Sequence, residues 1–239
     1  YMRAELVGIS LAVTAGEAAY IPLAHRYPGA PDQLNREVVL KRLKPWLEST
    51  APKVGHHLKY DTHIFANHGI QLRGVVHDTM LESYVLNSTA TRHDLNSVAA
   101  LYLGVETLKY EDVVGKGAKQ ITFDQVDLDT ATRYSAEDAD LALQLHETLW
   151  PKLTAVPDLE RVYKEIECPL VHVLQQMEYV GVMVDARLLR EQSQELAAKM
   201  AATEKAAHAA AGGPFNLGSP KQLQEVLYDR LKLPMLGKT

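Results

Sequence analysis

The chain has 239 residues, of which 46% are hydrophobic and 23% are charged, with 25 Lys and Arg against 30 Asp and Glu. This composition excludes a disordered or fibrous chain, and the length supports one large domain or two modest ones. No stretch approaches the roughly 20 apolar residues of a membrane-spanning helix, so we expect no membrane partner. The single cysteine, Cys168, excludes a disulfide scaffold and fits a reducing, cytoplasmic compartment. The net charge of -5 argues against bulk electrostatic binding of nucleic acid but leaves room for a local basic groove.

The first part of the chain alternates short apolar strands with helices. Apolar and β-branched runs bounded by turn residues predict strands at 6–13, 18–23, 53–55 and 75–77. Apolar residues spaced three and four apart predict helices at 35–47, 57–68, 94–103 and 130–150. A further helix is predicted to begin at Thr79, with a capping box from Glu82. This alternation indicates an α/β layered domain rather than a helical bundle.

The remainder of the chain, residues 158–236, shows almost only helical patterns. Asp185 and Ser219 are each predicted to cap a helix, the first of which is long and rich in alanine. We therefore expect an α/β domain over residues 1–156 and an all-helical segment over residues 157–239.

An aspartate lies on the apolar face of the helix predicted at 130–150. At about 100° per residue, Asp138 falls in the middle of a stripe that should face the core. An ionised carboxylate in such a place is costly unless a cation pairs with it. The other residues of the stripe are Tyr134, Leu141, Ala142, Leu145 and Leu149.

The helix predicted at 57–68 has the same conflict at Asp61. Helical pattern extends a full turn before Asp61 and before Asp138, so neither residue is expected at an N-cap. A metal site shared by the two aspartates would resolve both conflicts, whereas a solvated aspartate or a buried ion pair with Arg or Lys is the alternative for each. Asp61 shares its helix face with three apolar residues, Leu58, Ile64 and Phe65.

Tyr134 precedes Asp138 by four residues, so the phenol and the carboxylate project side by side from the helix. If Asp138 holds a divalent ion, Tyr134 is placed to orient, or to help deprotonate, a water on that ion. A core tyrosine with a satisfied hydroxyl is the alternative interpretation.

Two stretches around these aspartates resemble exonuclease motifs of the bacterial DNA polymerase I family, the family A DNA polymerases. Residues 56–61 (HHLKYD) are similar to the second motif, and residues 134–140 (YSAEDAD) are similar to the third. The ordered set of similar stretches covers essentially the whole chain. It also includes 78–84 and 92–95 between the motifs, and 167–171, 177–181 and 215–223 at the start of the polymerase region.

The resemblance implies a ribonuclease-H-like fold, with a mixed sheet and flanking helices, and 3′→5′ proofreading of single-stranded DNA ends. In that family, carboxylates hold two divalent ions, Mg²⁺ or alternatively Mn²⁺ or Zn²⁺. Carried over, Asp61 and Asp138 are metal ligands, and Tyr134 positions the attacking water. Residues 1–156 then correspond to the exonuclease domain, and residues 157–239 to the base of the polymerase thumb.

Two departures from the family pattern bear on activity. The first exonuclease motif, Asp-x-Glu, is expected on a strand just before Tyr1 and does not occur at the start of these residues. We therefore expect the 239 residues alone to bind metal weakly and to be nearly inactive, with the two-metal site complete only in the intact parent. His57 stands where the family usually has Asn, and at low pH it adds positive charge near the metals.

The resemblance also implies contacts with DNA. Arg92 and Tyr110 are expected to reach the single-stranded 3′ end, one through a phosphate and the other by stacking on a base. His57 and Lys116 are further candidates for nucleic-acid binding, and Lys119 extends the same basic loop. A solvated arginine, a half-buried tyrosine and an ordinary basic loop are the alternatives, and for the lysines we favour the ordinary loop.

These features predict a monomeric, cytoplasmic, nucleoid-associated piece of a DNA polymerase, with a single-stranded 3′ end and a primer–template duplex as partners. The polymerase aspartates of the family lie further downstream, so DNA synthesis is expected from regions outside these residues. A non-catalytic DNA-binding module with a degenerate site and a ribonuclease-D-like RNA exonuclease are the alternative functions. Residues 215–223 argue against the second, because they match the polymerase region.

Overall fold

The computed structural model describes residues 1–234 and residue 237. The predicted helical pattern reaches Leu236, and the predicted second domain reaches Thr239, so their last residues lie outside the described part of the chain. Contacts divide the chain into two compact units, Tyr1–Gly181 and Val182–Thr239. Among the described residues, no helix is long and apolar enough to cross a membrane.

The first unit begins with the predicted β-hairpin. β1 (Gly8–Thr14) pairs antiparallel with β2 (Glu17–Pro22). Gly16 lies in the turn with a φ of 84°, a left-handed conformation that favours glycine. The hairpin packs on the long helix α6 (Leu128–Thr154). The first strand pair is thereby fixed against a helix that comes more than a hundred residues later.

A second sheet is parallel and pairs β3 (Lys53–Gly55) with β4 (Val75–Asp78). The chain passes from β3 into α2 (Leu58–Asn67) and from β4 into α3 (Thr79–Leu86). Because the strands are parallel, both helices begin at the same edge of the sheet. The N-termini of α2 and α3 therefore lie close together.

One carboxylate caps both of these helices. Asp78 is buried, and it accepts hydrogen bonds from the backbone N–H groups of His57 and Leu58, both at 2.9 Å. It also accepts the N–H of Met80, in the first turn of α3, at 3.0 Å. The N–H of Asp78 itself donates to the hydroxyl of Tyr163 at 2.8 Å. This residue therefore fixes where both helices begin and ties that edge of the sheet to a later helical turn.

The predicted capping box at the start of α3 is wrong. Asp78 rather than Thr79 is the N-cap, and its side chain accepts a free N–H group of the first turn. Glu82 is fully buried, and its Oε1 contacts the imidazoles of His77 and His146 instead of the helix terminus. With the cap position already filled by Asp78, the Glu82 side chain is free to turn toward these rings.

Helix α6 begins after its N-cap Asp127, which accepts the N–H of Thr130 at 2.9 Å. It continues past Pro151 to Thr154, beyond the predicted end at Trp150. The predicted apolar stripe faces the core. The buried residues of α6 are Ala131, Leu141, Ala142, Leu145, Leu149 and Leu153.

The other helices of the first unit surround this framework. They are α1 (Arg36–Leu47), α4 (Leu95–Tyr102), α5 (Tyr110–Val114), α7 (Pro157–Val162) and α8 (Cys168–Val180), with a π-helical turn at Tyr163–Glu167. The main apolar cluster joins the hairpin to α1 and α2 through Leu6, Ile9, Leu23, Leu40, Leu47, Ile64, Phe65 and Ile70. Helix α8 packs on α2 and β4, and the first compact unit continues to Gly181. The boundary between the two expected domains at residue 156 stays a prediction.

The second unit is helical in its described residues. α9 (Ala186–Ala210) begins at the predicted N-cap Asp185, and α10 (Pro220–Gln224) begins at the predicted N-cap Ser219. A π-helical turn at Glu225–Arg230 follows α10. The expected class, an α/β part followed by an all-helical segment, is confirmed. In the described chain, the antiparallel and parallel strand pairs form two separate sheets.

Substitution of Asp78 tests the double cap. Asp78→Ala removes the acceptor of three backbone N–H groups, so we expect the free energy of unfolding to fall by about 2–4 kcal/mol, since one cap contributes about 1 and up to 2 kcal/mol. The measurement is urea unfolding followed by circular dichroism. Asp127→Ala, which removes the single exposed cap of α6, is the matched control and should cost about 1 kcal/mol. Equal losses in the two variants would contradict the double cap.

Candidate active site

Asp61 lies in the first turn of α2, just after the end that Asp78 caps. Its side chain is half-buried, and burial raises the pKa of its carboxyl to about 7, with smaller contributions from the negative charges of Asp78 and Asp138. The surroundings therefore disfavour the ionised form of Asp61. The apolar residues predicted on its helix face are all buried: Leu58, Ile64 and Phe65.

Asp138 lies in the middle of α6, half-buried, on the side that carries the buried stripe. Burial raises the pKa of its carboxyl to about 7, and a hydrogen bond from the Tyr134 hydroxyl opposes part of that rise. Glu137 and Asp140, its acidic neighbours on the helix, accept backbone N–H groups of other segments at 2.8 and 2.6 Å. The three acidic side chains thus have different partners, and Asp138 is the one whose negative charge contributes to the raised pKa of Asp61.

Neither inward carboxyl has a cationic partner. In the part of the chain that the structure describes, no nitrogen of Lys, Arg, His or the N-terminus lies within 4.0 Å of Asp61 or Asp138. This excludes, for those residues, the buried ion pair that the sequence left open. Two carboxyls from separate helices, near enough for the charge of Asp138 to raise the pKa of Asp61, therefore lack a positive charge to compensate them.

Tyrosine rings lie beside the carboxyl pair. Tyr134 is half-buried, and its pKa is raised first by burial and then by the carboxylate next to it. The centroid of its ring lies 6.2 Å from that of Tyr110, which is 47% exposed and stacks on Phe123. Tyr60, 44% exposed, has a pKa raised by burial and then by the charges of Asp61 and Tyr110. Tyr60 and Tyr110 thus present two exposed rings at the rim of the site.

His57 and Arg92 differ in their relation to this rim. His57 is exposed at the start of α2, and its ring centroid lies 6.4 Å from that of Tyr60. It has a left-handed backbone conformation, with a φ of 59°. Arg92 is exposed, and its Nε lies 3.3 Å from a carboxylate oxygen of Asp94, the N-cap of α4. The structure therefore places His57 beside a ring of the site, while the contact recorded for Arg92 is with a helix cap.

Lys116 of the basic loop forms an ion pair with Glu111. The Nζ of Lys116 lies 2.7 Å from a carboxylate oxygen of Glu111, and both side chains are exposed. Lys119 is exposed at the end of a short 3-10 turn, Gly117–Lys119. The ion pair at Lys116 favours the ordinary-loop interpretation of these lysines.

Sequence reasoning missed two residues that shape the site. The pattern that could identify Asp78 is its position directly before a predicted helix, where an aspartate is a common N-cap. Asp78 also caps α2, which begins twenty residues earlier in the chain, and no local pattern reveals that contact. The pattern that could identify Tyr60 is an aromatic residue directly before the inward-facing Asp61.

Two family models match the chain. The model described as 3'-5' exonuclease matches residues 1–154, which is more than half of the chain. The model described as DNA polymerase family A matches residues 186–239. The first match includes the second exonuclease-like stretch with Asp61 and the third with Asp138.

Curated relatives of similar sequence are bacterial DNA polymerases. DNA polymerase I of Pseudomonas aeruginosa is 58% identical over 240 residues, which cover 99% of this chain and 26% of the relative. DNA polymerase I of Rhizobium leguminosarum is 40% identical over 256 residues, which cover 100% of this chain and 25% of the relative. The chain therefore spans about a quarter of the length of these relatives.

A solved structure is similar over almost the whole chain. It is described as the POL domain of Pol1 from M. smegmatis in complex with DNA primer-template and dNTP. The TM-score is 0.71 with 27% sequence identity, and the match covers 98% of this chain and 38% of that one. Together with the sequence matches, this places the chain in the DNA polymerase I family of family A polymerases, with an exonuclease-like part followed by the start of a polymerase-like part.

Proposed function

We propose that this chain is the 3′→5′ exonuclease part of a DNA polymerase I and that it hydrolyses the last phosphodiester of a single-stranded 3′ end with the help of divalent metal ions. The observation that carries the proposal is the pair Asp61 and Asp138. These carboxyls come from two helices, have raised pKa values of about 7, and have no cationic partner among the described residues. The family assignment supports the same reaction.

The chemistry of the two carboxyls fits a hard divalent cation such as Mg²⁺ or Mn²⁺. Carboxylate oxygens are the ligands that these ions prefer, and a bound cation would offset the charge that burial makes costly. Asp61 and Asp138 would hold such ions. When bound, the ions supply Lewis-acid stabilisation of the phosphate and a nucleophilic water at neutral pH.

Tyr134 positions the nucleophile rather than accepting its proton. Burial and the nearby Asp138 raise the pKa of its phenol, so the hydroxyl stays protonated at neutral pH. A protonated phenol both donates and accepts hydrogen bonds. A hydroxyl that donates to the neighbouring Asp138 keeps its oxygen available to accept a hydrogen bond from a water molecule at the carboxyl pair.

The rim of the site suits single-stranded nucleic acid. The exposed rings of Tyr60 and Tyr110 offer surfaces on which unpaired bases can stack, and such stacking needs no particular base sequence. His57, next to Tyr60, is the polar group at the same rim. Arg92 would extend the contact to the phosphate backbone by exchanging Asp94 for a phosphate oxygen.

The proposal extends to the rest of the parent protein. Residues 157–239 would form the start of the polymerase domain, with DNA synthesis supplied by other regions of a polymerase about four times longer. Its partners would be a single-stranded 3′ end and a primer–template duplex, bound by a monomer in the cytoplasm at the nucleoid. The similar M. smegmatis structure, which contains DNA primer-template, supports the duplex partner.

Mn²⁺ binding by the 239-residue chain tests the carboxyl pair. We expect saturable but weak binding by calorimetric titration, because two carboxylates supply few of the roughly six ligands that such an ion prefers. For the same reason, we expect only slow Mn²⁺-dependent release of the 3′-terminal nucleotide from single-stranded DNA at excess protein. Asp61→Asn and Asp138→Asn should each weaken binding by at least about tenfold and abolish the release.

Asp140→Asn is the matched control for this titration, because Asp140 lies on the same helix but accepts the N–H of Gly16. It should retain the Mn²⁺ affinity of the unsubstituted chain. If Asp61→Asn and Asp138→Asn also retain that affinity, these residues are not the ligands, and a non-catalytic module becomes the better description.

The stability of the metal-free chain should depend on pH through the same carboxyls. Both pKa values are raised from 3.8 to about 7, so the folded state binds more protons than the unfolded state between these limits. Stability from these groups is therefore present below about pH 4 and is lost as the pH rises through about 7. Asp138→Asn should reduce this loss, so that in a chelating buffer at about pH 8 the variant melts at a higher temperature than the unsubstituted chain.

Asp127 provides a control for the pH dependence of stability, because its pKa is lowered rather than raised. The N–H and hydroxyl of Thr130 lower the pKa of the Asp127 carboxyl, so its ionised form stabilises the fold. Asp127→Asn should therefore lower the melting temperature above about pH 4. A stability profile of Asp138→Asn that parallels that of the unsubstituted chain across this range would contradict the assignment at Asp138.

Binding of a short single-stranded oligonucleotide tests the aromatic rim. Tyr110→Ala should weaken binding by about 5- to 150-fold, because stacking contributes about 1–3 kcal/mol per base. Fluorescence anisotropy with a labelled oligonucleotide measures the effect. Tyr110→Phe keeps the ring and should bind like the unsubstituted chain, as should Tyr179→Ala, which removes an exposed tyrosine of α8. Equal affinity of Tyr110→Ala and Tyr110→Phe would remove stacking at Tyr110 from the proposal.

A further inference from the structure

A second polar cluster lies in the first unit, on residues other than Asp61 and Asp138. It consists of His77 at the end of β4, Glu82 in α3 and His146 in α6. One ligand atom from each residue lies within 4.8 Å of the other two. The neighbouring residues His77 and Glu82 and the distant His146 of α6 therefore direct two imidazoles and one carboxylate at a common point.

The carboxylate of this cluster is placed where a charge is costly. Glu82 is 0% exposed, and no Lys or Arg nitrogen within the described chain forms an ion pair with it. The Nδ1 atoms of His77 and His146 both contact Oε1, at 3.1 and 2.8 Å. Oε2 is buried and has no hydrogen-bond partner among the described residues. A buried carboxylate with one orphaned oxygen needs a further positive charge or donor.

The spacing of the ligand atoms is close to that around a small cation. Ligands about 2.0–2.1 Å from a tetrahedral zinc ion lie about 3.4 Å from one another. The Nδ1 atoms of His77 and His146 lie 3.1 and 2.8 Å from Oε1, so each needs to move away from that oxygen by only about 0.3–0.6 Å. The side chains of His77 and His146 keep 19% and 17% of their surface exposed, which provides a path from solvent. Trp150 packs edge-on against the ring of His77, with centroids 4.5 Å apart, and restrains its orientation.

We propose that His77, Glu82 and His146 form a binding site for a transition-metal ion, with Zn²⁺ as the best match. Two imidazole nitrogens and a carboxylate oxygen suit Zn²⁺, whereas Mg²⁺ prefers oxygen ligands alone. The fourth ligand is a solvent molecule on the side where the two histidines are exposed. This site is separate in its residues and in its ligand chemistry from the carboxylate pair.

The position of the site gives it a structural role. An ion held there joins the end of β4, helix α3 and helix α6. His146 lies eight residues after Asp138 on α6, and Glu82 lies four residues after the double cap Asp78. The ion therefore holds together the segments from which Asp78 and Asp138 reach the exonuclease-like site. We expect Zn²⁺ to raise the melting temperature of the chain, because it binds the folded state in preference to the unfolded one.

Titration with Co²⁺ and competition with Zn²⁺ test the proposal on the untagged 239-residue chain. The background is Asp61→Asn with Asp138→Asn, so that the carboxylate pair does not contribute. We expect one equivalent of Co²⁺ to bind with the intense visible absorption of a four-coordinate site with nitrogen ligands. Zn²⁺ should displace it, a large excess of Mg²⁺ should not, and Zn²⁺ should raise the melting temperature.

Substitutions of the ligands assign the signal. His77→Phe keeps an aromatic ring against Trp150, and His146→Gln keeps a hydrogen-bonding group toward Glu82. Each should weaken Co²⁺ binding by at least about tenfold and abolish the Zn²⁺-induced rise in melting temperature. His172→Gln, which removes an exposed histidine of α8, is the matched control and should change neither measurement.

The competing arrangement is a plain ion pair between Glu82 and a protonated imidazole. In that case the unsubstituted cluster has no affinity for Zn²⁺ at micromolar concentration, and the melting temperature does not respond to the ion. That result, or Co²⁺ spectra that His77→Phe and His146→Gln leave unchanged, overturns the proposal. Because the first measurement uses intact histidines, it decides the question even if one of the ligand variants fails to fold.

Discussion

The first unit depends on one interaction, the capping of two helices by the buried carboxylate of Asp78. It accepts the N–H groups of His57, Leu58 and Met80, and so satisfies the first turns of α2 and α3 together. Helix N-termini carry free donors and partial positive charge, so one buried carboxylate is stable where two such ends meet. By fixing the start of α2, Asp78 also determines where Asp61 in its first turn points. The position of a proposed catalytic group thus follows from a capping interaction.

Helix α6 provides the second half of the site and connects it to the rest of the fold. It packs on the hairpin through one face, and it carries Tyr134, Asp138 and His146 along its length. The buried stripe of α6 secures these residues, and the cost of burying Asp138 is offset by that packing rather than by a local ion pair. A fold that holds two uncompensated carboxyls in this way is stabilised by any cation that binds them, which links stability to the proposed chemistry.

The two clusters of the first unit differ in the hardness of their ligands. Asp61 and Asp138 offer oxygen, which suits Mg²⁺ or Mn²⁺, while His77, Glu82 and His146 offer mainly nitrogen, which suits Zn²⁺. Such a separation allows a labile ion for hydrolysis and a retained ion for structure within one domain. Both clusters draw on α6, so order imposed at one is transmitted along a single rigid helix.

Short-range patterns were sufficient for much of this molecule. The helical phase of Asp61 and Asp138, the spacing of Tyr134 and the caps Asp185 and Ser219 depend on residues within two turns, and the sequence alone determined them. Only the tertiary structure decided what distant segments do to one another. In that structure, Asp78 caps the N-termini of two helices, and Glu82 contacts His146 instead of completing the predicted capping box. The first compact unit extends to Gly181. The reason is that the helical period of 3.6 residues depends only on residues close in sequence. The partner of a buried polar group depends instead on how segments distant in sequence pack together.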